Sequence, residues 1–161
     1  VSRDDVRIDG PDGMTKSVPQ LRLLVPPDPR EAGAVRGRIA AFVQALGVSD
    51  DALYDVITII GEAFANVVQH AETREAIELT TWIEDGTRIL TRIVDRGRGF
   101  AESPGGGDVS AAPADALAES GRGIWIMNQC ADSISVDSIP GLGTAVVFSR
   151  ELRRGPAETA P

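Results

Sequence analysis

Lysine, cysteine and histidine each occur once in the 161 residues, and each scarcity removes a class of chemistry. A lone cysteine, Cys130, forms no internal disulfide and no cysteine-cluster metal site. A lone histidine, His70, argues against a histidine-based zinc site. Lys16 is the one lysine and no Gly-Lys-Ser/Thr triplet occurs, which excludes a P-loop. Any phosphate site must therefore use backbone amides and arginine. Basic residues are outnumbered, 16 against 24 acidic ones, for a net charge of −8. That balance disfavours direct contact with nucleic acid, which needs a basic footprint. No apolar run approaches the roughly 20 residues needed to span a bilayer, and no signal-peptide pattern opens the sequence. The expectation is a cytoplasmic protein without a membrane partner.

What is present fits one globular domain. Hydrophobic residues make up 42% of the chain, an ordinary value for a packed core. Residues 1–16 are polar, rich in Gly and Asp and without period, and are expected to be a flexible lead-in. Leu21, Leu23 and Val25 alternate as a strand ended by Pro26-Pro27. Val35, Ile39, Phe42, Val43 and Leu46 recur at helical spacing over residues 29–46, with Gly47 as the stop. Ser49-Asp50-Asp51 then supplies a cap and an acidic first turn. The helix it opens carries the strongest period in the chain, through Leu53, Val56, Ile57, Ile60, Phe64, Val67, Val68 and Ala71. Asp55, Glu62, Asn66 and Gln69 lie on its other face, with Glu62 and Asn66 one turn apart.

Two alternating runs follow, 77–83 and 88–94, joined by an Asp85-Gly86 hairpin turn. In the second, Ile89, Thr91, Ile93 and Asp95 share a face, which brings a carboxylate to the rim of the core. A carboxylate there is costly unless a donor meets it. Gly97 and Gly99 directly behind it allow a sharp turn and a close approach by a ligand. Residues 101–120, with Gly105-Gly106-Gly107, two prolines and no period, are expected to be a functional lid loop. Gly121-Arg122-Gly123 opens a helix with Ile124, Trp125, Ile126, Met127 and Cys130. Ile134, Val136 and Ser138 alternate, Gly141-Leu142-Gly143 turns, and residues 144–149 form the last strand. Residues 153–161 read as a flexible tail. Each motif also has a plain reading: a strand-end Asp before a Gly turn, and a solvated Glu-Asn pair. For His70 a structural role or one behind the site is favoured over a phosphoacceptor, for Trp125 and Met127 packing, for Cys130 a buried apolar role.

The ordered set is Glu62-x-x-x-Asn66, Asp95-x-Gly97-x-Gly99, a glycine-rich loop, Gly121-x-Gly123 and Gly141-x-Gly143-Thr144. Over residues 17–152 it resembles the ATP-binding fold shared by histidine kinases, gyrase, Hsp90 and MutL. Glu62-Ala-Phe-Ala-Asn66-Val-Val-Gln-His70-Ala71, Glu119-Ser-Gly-Arg-Gly-Ile-Trp-Ile-Met127 and Ala131-Asp132 are similar to the versions in small anti-sigma-factor serine kinases. The resemblance implies an α/β two-layer sandwich, with a mixed, mostly antiparallel sheet and helices on one face. It implies ATP and Mg²⁺ as cofactors. Asp95 would accept the adenine amino group and Thr144 would support the base. Gly97 and Gly99 would line the nucleotide. Gly121, Arg122 and Gly123 would hold phosphates, Asn66 would hold Mg²⁺, and Glu62 would be the general base. The partners implied are a sigma factor and an anti-anti-sigma factor, with a homodimer possible. Some of these kinases carry an arginine just before the Ser-Gly of the second glycine motif. Glu119 stands there here, with Arg122 and Arg98 as candidate replacements. Two alternatives stay open: a nucleotide-gated binding module without phosphoryl transfer, and the ATP-binding domain of a sensor histidine kinase. The latter is disfavoured because no helix with a phosphoacceptor His precedes Leu21.

Overall fold

In a computed structural model, residues 20–99 and 121–152 are described, with the backbone alone at 121 and 122. Five strands and three helices follow the order β1 (Gln20–Val25), α1 (Ala32–Gln44), α2 (Asp50–His70), β2 (Ile77–Glu84), β3 (Arg88–Asp95), α3 (Gly121–Cys130), β4 (Ser133–Ile139) and β5 (Gly143–Glu151). A short 3₁₀ turn, Pro29–Glu31, precedes α1. The strands form one sheet in the order β1-β2-β3-β5-β4. All four described pairings are antiparallel.

Alternation in the sequence becomes rows across the sheet. Leu23, Leu79, Ile93, Val146 and Val136 are paired neighbours in one row. Leu21, Thr81, Thr91, Phe148 and Ile134 make the next. These rows face the helices, and the buried side chains of both layers form one core with Val35, Ile39, Val56, Ile60 and Phe64. Inside it, Thr81 and Thr91 satisfy each other through a hydroxyl–hydroxyl hydrogen bond of 3.0 Å.

Helix α2 is the centre of the helical layer, packing on both α1 and α3. Its first turn is capped by Ser49, whose hydroxyl accepts from the Ala52 N–H at 3.3 Å, with Asp50 and Asp51 at the positive end of the dipole. The buried set is Ala52, Val56, Ile59, Ile60, Ala63, Phe64 and Val67. Leu53 and Val68 of the expected stripe pack only partly buried at its edges, Ile57 is only half-buried, and Ile59 and Ala63 take the centre. At the hairpin, Asp85 and Gly86 take φ of 51° and 70°, the left-handed conformation that an Asp-Gly turn provides.

Candidate functional site

The inward row at one end of the sheet is polar. Asp95 of β3 pairs with Thr144 of β5, and Thr144 with Ser138 of β4. Asp95 is only 4% exposed. Its Oδ1 accepts from the Gly97 N–H at 2.8 Å, and the Thr144 N–H also donates to the carboxylate. Burial nevertheless pushes its pKa above the ordinary carboxyl value, only partly offset by those two donors. The Ser138 and Thr144 hydroxyls lie 2.9 Å apart. Sequence reasoning found Asp95 and Thr144 but not Ser138. Its signal was present in the Ile134, Val136, Ser138 alternation, which puts it on the same face two residues beyond Val136.

The chain behind Asp95 has almost no room. A Cβ on Gly97 would run into the Ala71 carbonyl, and one on Gly99 into the Ile139 carbonyl. The left-handed φ of 59° at Gly99 also suits glycine. This strap is fastened on both sides. The Arg98 N–H donates to the Ala71 oxygen at 2.8 Å, and the Gly141 N–H donates to the Arg98 oxygen at 2.7 Å. The Arg98 guanidinium turns to the end of α2, donating through Nε to the His70 oxygen at 3.2 Å and pairing with Glu72 at 3.1 Å. In the nucleotide-free protein Arg98 is thus drawn to the α2 terminus through contacts at the surface. His70 is partly buried, and its Nε2 has no hydrogen-bond partner among the described residues.

Glu62 and Asn66 meet the start of α3. A Cβ built on Gly123 would lie 2.9 Å from Glu62 Oε2 and 3.4 Å from Asn66 Oδ1. Gly123, without a side chain, brings the N-terminal amides of α3, the end at which a helix binds anions, close beside these two groups. Among the described residues no cluster of three or more His, Cys, Asp or Glu is placed to hold a metal. Mg²⁺ binds through one or two protein oxygens and keeps waters and phosphate oxygens. The hard oxygens of Asn66 and Glu62 beside Gly123 suit that requirement. Gly121 lies in the first turn of α3. The Arg122 side chain, Glu119 and the expected lid at 101–120 lie outside the described residues.

The structure thus brings the sequence-expected residues into two groups, Asp95 with Gly97, Gly99 and Thr144, and Glu62 and Asn66 with Gly123. Two side chains differ from expectation. Trp125 is 63% exposed instead of packed, although Met127 is buried as expected. Cys130 is half-buried rather than buried, and burial, followed by the nearby Asp55 carboxylate, pushes its thiol pKa up. Asp55, on the polar face of α2, is paired with Arg150 at 2.7 Å.

Residues 25–150 match the histidine kinase-like ATPase domain family. An anti-sigma F factor of Pasteuria penetrans is 30% identical over 71% of this chain and 79% of its own length. The serine-protein kinase RsbW of Bacillus velezensis is 26% identical over 83% of this chain and 87% of its own length. Among solved structures, the RsbU and RsbW domains of a Mycobacterium tuberculosis protein align with a TM-score of 0.60 at 16% identity. That alignment covers 84% of this chain but only 33% of the other, and it supports the fold. With the ordered motifs and their geometry, these matches place the chain in the histidine kinase-like ATPase domain family, among the anti-sigma-factor serine kinases.

Proposed function

We propose that the protein binds Mg-ATP, transfers the terminal phosphoryl group to a serine of an anti-anti-sigma factor, and sequesters a sigma factor, acting as a cytoplasmic homodimer. The observation that carries the reading is the approach of Gly123 to Glu62 and Asn66. It sets a helix N-terminus, a carboxylate and an amide oxygen around one small volume. The adenine amino group would donate to Asp95, whose burial makes an unused acceptor expensive and a specific donor welcome. Thr144, with Ser138 behind it, would support the base. Gly97 and Gly99 let the backbone pass close to the nucleotide. Gly121 and Gly123 would present amides to the phosphates, with Arg122 beside them.

Phosphoryl transfer depends mostly on positioning and charge stabilisation. When bound, Mg²⁺ supplies charge neutralisation to the phosphates, with Asn66 as its protein ligand. Glu62 would accept the proton of the attacking serine hydroxyl, a contribution of ~10²–10⁴-fold. Radiolabel transfer from ATP to a cognate anti-anti-sigma protein, compared between the unaltered protein and Glu62→Gln, tests this. Transfer should fall by about that factor while ATP affinity holds. Undiminished transfer would reject Glu62 as the base. Asn66→Ala should instead weaken Mg-ATP binding itself. Sedimentation tests the homodimer.

One observation favours a nucleotide-gated binding module as the second reading. Glu119 stands where some of these kinases carry a phosphate arginine, and Arg98, a candidate replacement, is engaged with His70 and Glu72. Absence of transfer to any cognate partner, with ATP binding intact, would put that reading first.

A further inference from the structure

The polar face of α2 carries a third residue that the nucleotide site does not use. Asp55 lies about two turns before Glu62 and three before Asn66, on the same side of the helix. Helix α3 runs antiparallel along that side. Its start meets Glu62 and Asn66 through Gly123, and its last residue, Cys130, lies near enough to Asp55 for that carboxylate to help raise its thiol pKa.

Arg150 fastens this far end. Its Nη2 lies 2.7 Å from Asp55 Oδ2 and its Nη1 2.8 Å from Asp132 Oδ1. The Arg150 and Asp55 side chains are 20% and 21% exposed, so this pair is far more sheltered than the ordinary surface ion pair. Asp132 is held in turn: its Oδ2 accepts the Glu151 N–H and its own N–H donates to the Ser149 oxygen. One guanidinium on β5 therefore ties α2 to the chain just behind α3. The other end of α3 meets α2 at Gly123, beside the Glu62 and Asn66 side chains.

We propose that Arg150, acting through Asp55 and Asp132, is a positioning residue for the nucleotide phosphates. It fixes the register of α3 along α2, and so the distance of the α3 amides from Glu62 and Asn66. The inference rests on the ATP site proposed above. A helix is stiff along its axis, so a slip of one residue at Cys130 carries Gly123 about 1.5 Å. Misplacement on that scale costs reactions of order 10²-fold.

Trp125, exposed on α3 two residues beyond Gly123, is a natural reporter once Trp82→Phe removes the other tryptophan. In that background, ATP with Mg²⁺ is titrated against Trp125 emission for the parent, Arg150→Met, Arg150→Lys and Asp132→Asn. Arg150→Met should weaken ATP binding by roughly tenfold or more and change the emission of the saturated state. Arg150→Lys should recover part of both, because an ammonium keeps the charge but lacks the two-armed fork. Asp132→Asn should shift both in the same sense and decides the matter should Arg150→Met fail to fold. A merely structural contact would lower the thermal midpoint and leave ATP affinity and saturated emission at parent values. That result in either folded variant overturns the inference alone. A parent protein that binds no ATP overturns the site and the inference together.

Discussion

Asp95 stands where solvation and recognition pull in opposite directions. Burial raises its folded pKa above the ordinary value, so folding disfavours its ionised form. Its contribution to stability is fully present below the unfolded pKa and is lost as pH rises through the raised folded value. Relative to Asp95→Asn, the nucleotide-free protein should therefore gain stability as pH falls from neutral into the acid range. Urea unfolding of both proteins across that range checks the sign, and a constant gap would count against a desolvated carboxylate. Asp95→Ala should weaken ATP binding by ~1–3 kcal/mol, the scale of a hydrogen bond to a charged group, read by calorimetry with Mg²⁺. Equal affinities with folding intact would sink the adenine assignment. Gly143 is the neighbouring backbone constraint, with a φ of 113° and no space for a Cβ beside the Asp95 carbonyl. Gly143→Ala should cost about 1–3 kcal/mol of stability in urea unfolding. Asp95 was legible in the sequence because alternation placed it on the core face. The roles of Asp55 and Arg150 were not, because a polar residue facing a second helix reads the same as one facing water.

At the scale of elements, the sheet and α2 were legible from period and cap, within a residue or two at most ends. The exact seat of α2 was not. An apolar stripe fixes a face but not its centre, and α2 touches α1, α3 and the sheet at once. Ile59 and Ala63 consequently replaced Leu53 and Ile57 at the most buried positions. Trp125 was misjudged because α3 contacts α2 along only part of its circumference, which leaves that position outside. The Thr81–Thr91 pair makes a sharper test of how the strands are held. Thr81→Val leaves the Thr91 hydroxyl buried without its partner and should cost ~1–3 kcal/mol. The double Val variant should recover most of that loss, because two apolar groups of the same shape need no partner. Equilibrium unfolding of the two single variants and the double measures it, and additive losses would contradict the pairing.

For the whole molecule, the residues proposed to bind nucleotide sit on elements distant in sequence but joined by few backbone bonds. Arg98 links the strap to the α2 terminus through Ala71 and to the β4–β5 turn through Gly141. ATP with Mg²⁺ should therefore slow hydrogen exchange together in residues 95–99, at the α2 terminus and at the start of α3. Protection confined to one of these would mean that the strap does not couple them. The strand order was not legible, since alternation gives faces but not neighbours.

That order has a consequence for how the protein is made. β5 is the last described strand in sequence yet lies between β3 and β4, and it brings Thr144 to Asp95. A chain emerging from the ribosome can pair β1, β2 and β3 and pack the helices, but the β3 edge stays open and β4 has no strand partner until β5 slots between them. If Asp95 and Thr144 hold the base as proposed, that late insertion completes its pocket, and a chain stalled before Gly143 should neither bind nucleotide nor cover the β3 edge.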